Sequence, residues 1–169
     1  LFSKNGNELY PKEIRNQEEI LNNISILLDY YHSKKFKFPR LDLFSGEIWH
    51  TDFGIKILTT ILAKIKLGLE IKMIIIPSNF TFINYPDRIK QLEWFIDAFE
   101  AEILVSIFAS IDGKFSENLT RPFNNKTTLT DEFYDNLFKF CKKHNYGFHP
   151  MLSAYSIDYF KQNYTWFKD

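Results

Sequence analysis

The chain of 169 residues carries 18 Phe, 9 Tyr and 3 Trp and is 45% hydrophobic, which excludes intrinsic disorder and supplies a core for a single domain over 1–169. Its 21 basic residues balance 21 acidic ones, so it lacks the basic excess expected of a nucleic-acid binder. A lone cysteine excludes an internal disulfide framework, a cysteine zinc site and a self-contained iron–sulfur cluster.

The longest apolar runs, around 73–76 and 103–109, fall far short of bilayer length. The start has no basic-then-apolar leader, so the expected setting is cytoplasmic, with no membrane partner. The first residue is Leu1 and not Met, which points to a segment of a longer polypeptide.

Residues 1–18 are polar, rich in Asn and Lys, and carry Gly6 and Pro11, as loops do. Ile20, Leu21, Ile24, Leu27, Leu28 and Tyr31 then share one helical face and predict a helix over 18–32, with Lys34, Lys35 and Lys37 at its exit. Residues 38–44 read as a short strand running into Ser45, Gly46 and Glu47. Thr51 or Asp52 caps a second helix with the stripe Phe53, Ile57, Ile61 and Ile65, closed at Gly68. The β-branched run 71–76 predicts a buried strand ending at Pro77, Ser78 and Asn79.

Pro86 suits the first turn of a third helix, whose inner face holds Ile89, Leu92, Phe95, Ile96 and Phe99. A strand over 102–109 follows, ending at Ser110, Asp112 and Gly113, and then a long polar loop through Arg121 and Pro122. Thr130 caps a helix with the stripe Phe133, Leu137, Phe140 and Cys141. Residues 148–152 read as a fourth strand ending at Ser153, and Ile157, Phe160 and Tyr164 fall at helical spacing beyond it. Strands recurring every 30 to 45 residues or so, with a helix between each pair, predict an α/β fold with four parallel strands. Right-handed crossovers then put the helices on one side of a curling sheet or on both sides of a flat one.

Each strand ends in a polar cluster with a serine, and ligands of parallel α/β folds bind at those ends. Taken singly, Ser, Gly, Asn and Asp at a strand end are explained by the turn they make. Four clusters together, with Glu47 among them, point to a ligand site. Glu47 after Gly46 could receive a ligand ammonium group in a charge-assisted contact. Ser110 and Asp112, two apart, are expected on one side of the sheet, where the pair suits a diol or ribose. Arg121 could clamp a carboxylate or phosphate, although a lone loop arginine is more often a solvated charge.

The remaining candidates have plainer readings. His50 could act as a base beside Glu47 but also suits a helix entry. His149 reads as a core or edge residue, and His32 and His144 suit helix ends. Cys141, on an apolar stripe, reads as packed core. No H-x-x-x-H, C-x-x-C, Walker or G-x-G-x-x-G pattern occurs.

The series strand–Ser45-Gly46-Glu47–helix, strand–Ser78-Asn79, and strand–Ser110-Ile111-Asp112-Gly113 with Arg121-Pro122 downstream resembles part of a radical S-adenosylmethionine domain. The likeness covers 40–153 and is to the peptide- and protein-modifying (SPASM-like) branch. There the corresponding motifs read Gly-Gly-Glu-Pro, Thr-Asn-Gly and Ser-x-Asp-Gly. The chain departs at Ser45, at Ile48 in place of proline, and at Phe80 in place of glycine, and it lacks the Cys-x-x-x-Cys-x-x-Cys loop.

The resemblance implies a partial TIM-type (β/α) barrel, with strand one and the cluster-binding cysteines upstream of Leu1. It implies S-adenosylmethionine as cofactor, held at Ser45, Gly46, Glu47, Asn79, Ser110, Asp112, Arg121 and Ser153, with Met151 beside Ser153. It further implies a [4Fe–4S] cluster ligated outside this chain, a ferredoxin- or flavodoxin-type electron donor, and a peptide or protein substrate modified through a 5′-deoxyadenosyl radical. The chain alone would be incomplete and inactive. Two other readings stay open: a barrel hydrolase with Glu47 and Asp112 as paired carboxylates, about 5 Å or about 6.5–9.5 Å apart, and a non-catalytic barrel remnant that serves as a binding module.

Overall fold

A computed structural model describes residues 16–44, 47–117, 129–154 and 156–168. In chain order the elements are α1 (Gln17–Ser33), β1 (Leu41–Asp42), α2 (Asp52–Lys66), β2 (Met73–Ser78), α3 (Pro86–Glu100), β3 (Leu104–Ala109), α4 (Asp131–His144), β4 (Gly147–Phe148) and α5 (Phe160–Lys168). Short 3-10 turns, Ile48–His50 and Ile157–Tyr159, precede α2 and α5. All four strands are parallel and lie in the order β1-β2-β3-β4, so each strand pairs with the next in sequence.

The helix boundaries follow local chemistry. Asn16 caps α1 by accepting from the backbone of Glu18 and Glu19, Thr51 caps α2 by accepting from Gly54, and Thr130 caps α4 by accepting from Phe133. Such a cap contributes about 1 kcal/mol. Gly68, at φ +101°, and Asn145, at φ +56°, close α2 and α4 in the left-handed conformation that ends helices.

Three strands are shorter than the sequence predicts: β3 begins at Leu104 and not at 102, and β1 and β4 are cut to two residues each. Over 38–44 there is only β1 and a single bridge from Phe38 to Ile71, because Pro39 interrupts the ladder with no N–H to give. Over 148–152 pairing stops once the His149 N–H has donated to Ala109. Pro150 follows, and the Met151 N–H turns to Asp112. β2 in turn runs further than expected, through Pro77 to Ser78. Pro77 is tolerated because its nitrogen faces the β1 side, where the last bond is Leu43 N–H to Ile75 carbonyl, while the neighbouring Ser78 carbonyl accepts from Ser110 at 2.7 Å on the β3 side.

Among the described residues, α2, α3 and α4 cover one face of the sheet. Ile74, Ile76, Ile107 and Ala109 on that face form one core with Leu58, Ile61, Leu92, Phe95, Leu137 and Phe140 from α2, α3 and α4. Leu41, Leu43, Val105 and Phe148 pack against its margin. The alternate residues Met73, Ile75, Leu104, Ser106 and Phe108 point the other way and take no part in this core. Of these, Leu104 is 64% exposed. One-sided covering is what right-handed crossovers produce when each strand is added beside the last.

Candidate functional site

At the C-terminal ends of β1, β2 and β3 lies a cavity of about 340 Å³, lined by Phe44, Glu47, Pro77, Ser78, Asn79, Phe108 and Ser110. Three sequence-predicted residues, Glu47, Asn79 and Ser110, therefore meet in one place, each from a different strand end. Parallel pairing brings them together, since it puts every strand's C-terminal end on the same side. The volume falls within the range of about 300–1,000 Å³ usual for small-molecule sites.

Glu47 follows β1 and precedes the 3-10 turn Ile48–His50. Its carboxylate accepts from the Ser78 hydroxyl at 2.9 Å (Oε1) and 3.0 Å (Oε2), and Oε2 accepts from the Asn79 N–H at 2.6 Å. Ser78 Oγ itself accepts from the Phe80 N–H at 3.0 Å, which leaves its proton for Glu47. Burial raises the Glu47 carboxyl to about 7, outweighing the opposing hydrogen bonds from Asn79 and Ser78. Among the described residues no charged side chain contributes to that shift. The result is an acid in the cavity wall whose ionisation is shifted up toward neutral pH.

Asn79 turns its side-chain carbonyl to the Thr81 N–H at 3.1 Å and the Thr81 hydroxyl at 3.0 Å, building a tight turn. In that turn Phe80 takes φ +54°, a left-handed conformation that favours glycine. Its ring is fully buried against Phe82 and Phe140, and that packing holds the backbone there.

Asp112 does not share the cavity. The chain leaves β3 at Ala109, so two-residue alternation no longer governs where Ser110 and Asp112 point, and the expectation that they share a side fails. Asp112 is 2% exposed, and its Oδ1 accepts from the Met151 N–H at 2.8 Å. Its own N–H donates to the buried Glu117 carboxylate. It ties the turn after β3 to the segment after β4. Ser153 is likewise a turn residue here: its N–H donates to Ser156 Oγ at 2.8 Å, and Ser156 returns its N–H to Ser153 Oγ at 3.3 Å. Neither Ser153 nor Met151 lines the cavity. Ser45, Gly46 and Arg121 lie outside the described residues, as does the side chain of His50.

The structure adds two lining side chains that the sequence did not single out, Phe44 and Phe108, and gives Ser78, named there as part of a strand-end cluster, the task of donating to Glu47. Phe44 sits 6.1 Å from Phe108, and the exposed His149 stacks on Phe108 at 3.9 Å, so it is a surface residue and not a core one. Strand-end position was the available signal for Phe44 and Phe108. For Ser78 nothing in the sequence separated a ligand to Glu47 from an ordinary turn serine.

No group of three or more metal-ligating side chains occurs among the described residues. Cys141 is buried and its thiol is pushed up to about 12 by desolvation, so it does not fit a cluster ligand. No described helix is long and apolar enough to cross a membrane. Comparison with protein-family models, curated proteins and solved structures finds no match to this chain.

Proposed function

We propose that the chain is the S-adenosylmethionine-binding portion of a radical S-adenosylmethionine enzyme and forms part of a (β/α) barrel whose cluster cysteines lie outside it. The observation that carries this reading is the shared cavity: Glu47, Asn79 and Ser110, the strand-end residues of the three resembling motifs, line one site. Two features support it. The strands follow one another in space with the described helices α2, α3 and α4 on a single side, as in a closing barrel. Phe80 keeps a glycine-favouring φ at the position where the resembled pattern carries glycine.

In this reading the Glu47 carboxylate receives the methionyl ammonium group, and the Ser110 side of the cavity takes the ribose or methionyl carboxylate. The aromatic wall of Phe44 and Phe108 shields the remainder from water. Bound in the complete enzyme, the cofactor would supply radical chemistry for hydrogen abstraction. The residues described here bind and orient it. The cytoplasmic setting, the reductant of ferredoxin or flavodoxin type and the peptide or protein substrate belong to the same proposal.

The rival hydrolase needs a second acid in the cavity. Among the described lining residues Glu47 is the one carboxylate, and Asp112 is held by Met151. Titration calorimetry of the chain with S-adenosylmethionine tests the proposal. Saturable binding that Glu47→Gln weakens at least tenfold is expected; no heat from the folded wild-type chain refutes the reading and favours a binding module of another kind.

A further inference from the structure

Glu47 sits in a cage of neutral donors. Ser78 Oγ lies 2.9 and 3.0 Å from its two carboxylate oxygens, the Asn79 N–H lies 2.6 Å from Oε2, and the cavity opens beside them. Among the described residues, the surrounding elements bring no compensating cation to the cavity wall. The β1 exit contributes Phe44, the end of β2 Pro77, Ser78 and Asn79, and the end of β3 Phe108 and Ser110, all uncharged. At the start of α2, Asp52 is engaged by Arg88 at 2.9 Å, and Asp112 beyond β3 is engaged by Met151. A buried carboxylate whose described partners are all neutral donors is poorly compensated, and either a proton or a ligand cation can relieve it.

We propose that Glu47, Ser78 and Asn79 form a proton-exchanging receptor for a ligand ammonium group, in which the entering cation replaces the proton of the Glu47 carboxyl. The location rests on the cofactor reading above, and the exchange goes beyond it. The step balances simply: the neutral carboxyl and the ammonium ion become an ion pair, and the carboxyl proton goes to solvent. No bond in the ligand breaks. Ser78 and Asn79 keep their hydrogen bonds throughout, so the carboxylate is held in place whether or not a ligand is present. Binding then strengthens as pH rises through neutrality, because less of the receptor must give up a proton first.

Burial prepares this behaviour. It lifts the Glu47 carboxyl to about 7, with no charged neighbour among the described residues acting on it, which brings its ionisation into the neutral range. A solvated carboxylate would already be ionised and would release nothing on binding.

The experiment follows the Glu47 carboxyl carbon of the full chain by NMR from about pH 5 to about pH 9. Glu47→Gln and Ser78→Ala serve as the variants, and ethylammonium chloride and S-adenosylmethionine as the probes. The free chain is expected to show a midpoint near neutrality, which both probes lower by about a pH unit or more. Ser78→Ala should raise the free midpoint further, since a donor to the charged form is gone, and this assignment survives even if Glu47→Gln fails to fold. Calorimetry of S-adenosylmethionine binding below pH 7 should show proton release through the dependence of heat on buffer ionisation enthalpy.

A free midpoint in the ordinary carboxylate range, or one that neither probe moves, overturns the proposal. A midpoint lowered by ethylammonium but not by S-adenosylmethionine supports the receptor and overturns the cofactor reading instead.

Discussion

Glu47 links the stability of the protein to pH in a direction opposite to most carboxylates. Its carboxyl is raised in the folded chain from an ordinary 4.5 to about 7, so between those values the folded state holds a proton that the unfolded state has lost. Stability therefore falls as pH climbs through that window and levels off above it, a loss of roughly 3 kcal/mol. Glu47→Gln should flatten this slope, which urea denaturation at stepped pH would read; an unchanged slope would mean that Glu47 is ionised throughout.

Asp112 has a different task. It accepts from Met151 in a buried setting, so Asp112→Ala should strand that N–H and cost about 1–3 kcal/mol in thermal unfolding, with the cavity residues untouched. Both acids were visible in the sequence as strand-end residues, but their roles were not. Alternation is a rule for extended chain, and Asp112 lies beyond the last paired residue, Ala109, where the turn through Gly113 (φ +118°) redirects it.

Among the elements, the helices were legible and the strands less so. Caps at Thr51 and Thr130 and apolar stripes on α2, α3 and α4 are local signals that survive into the structure. Strand length depends on what the neighbouring strand can pair with, and Pro39, Pro77 and Pro150 set it through N–H groups they do not have. Gly54 shows a constraint that lies between elements. A Cβ built there would stand 1.9 Å from the Ile48 carbonyl oxygen, so α2 can approach the 3-10 turn that follows Glu47 only without a side chain. Gly54→Ala should force the two apart and destabilise the chain by about 1–3 kcal/mol or more, despite the better helix propensity of alanine. A melting temperature equal to or above wild type would show that the turn yields freely.

For the whole molecule, the parallel sheet was legible from the rhythm of strands and helices, whereas its one-sided cover was not, because handedness alone permits both a curling and a flat sheet. The two faces make a sharp contrast within β3. Ile107, fully packed on the covered face, should cost about 2–5 kcal/mol when replaced by alanine. Leu104, 64% exposed on the opposite face, should tolerate Leu104→Ser within about 0.5 kcal/mol. Chemical denaturation of the two variants side by side measures the difference, and a large loss at Leu104 would mean that this face is covered in solution.

Pro77 bears on how a guest would enter. An imino acid at that point has no N–H to give the first strand, and the last bond between the two strands is the one from Leu43 N–H to the Ile75 carbonyl. Among the described residues the mouth is thus held ajar by covalent structure, and uptake past them should run at a rate set by diffusion and desolvation.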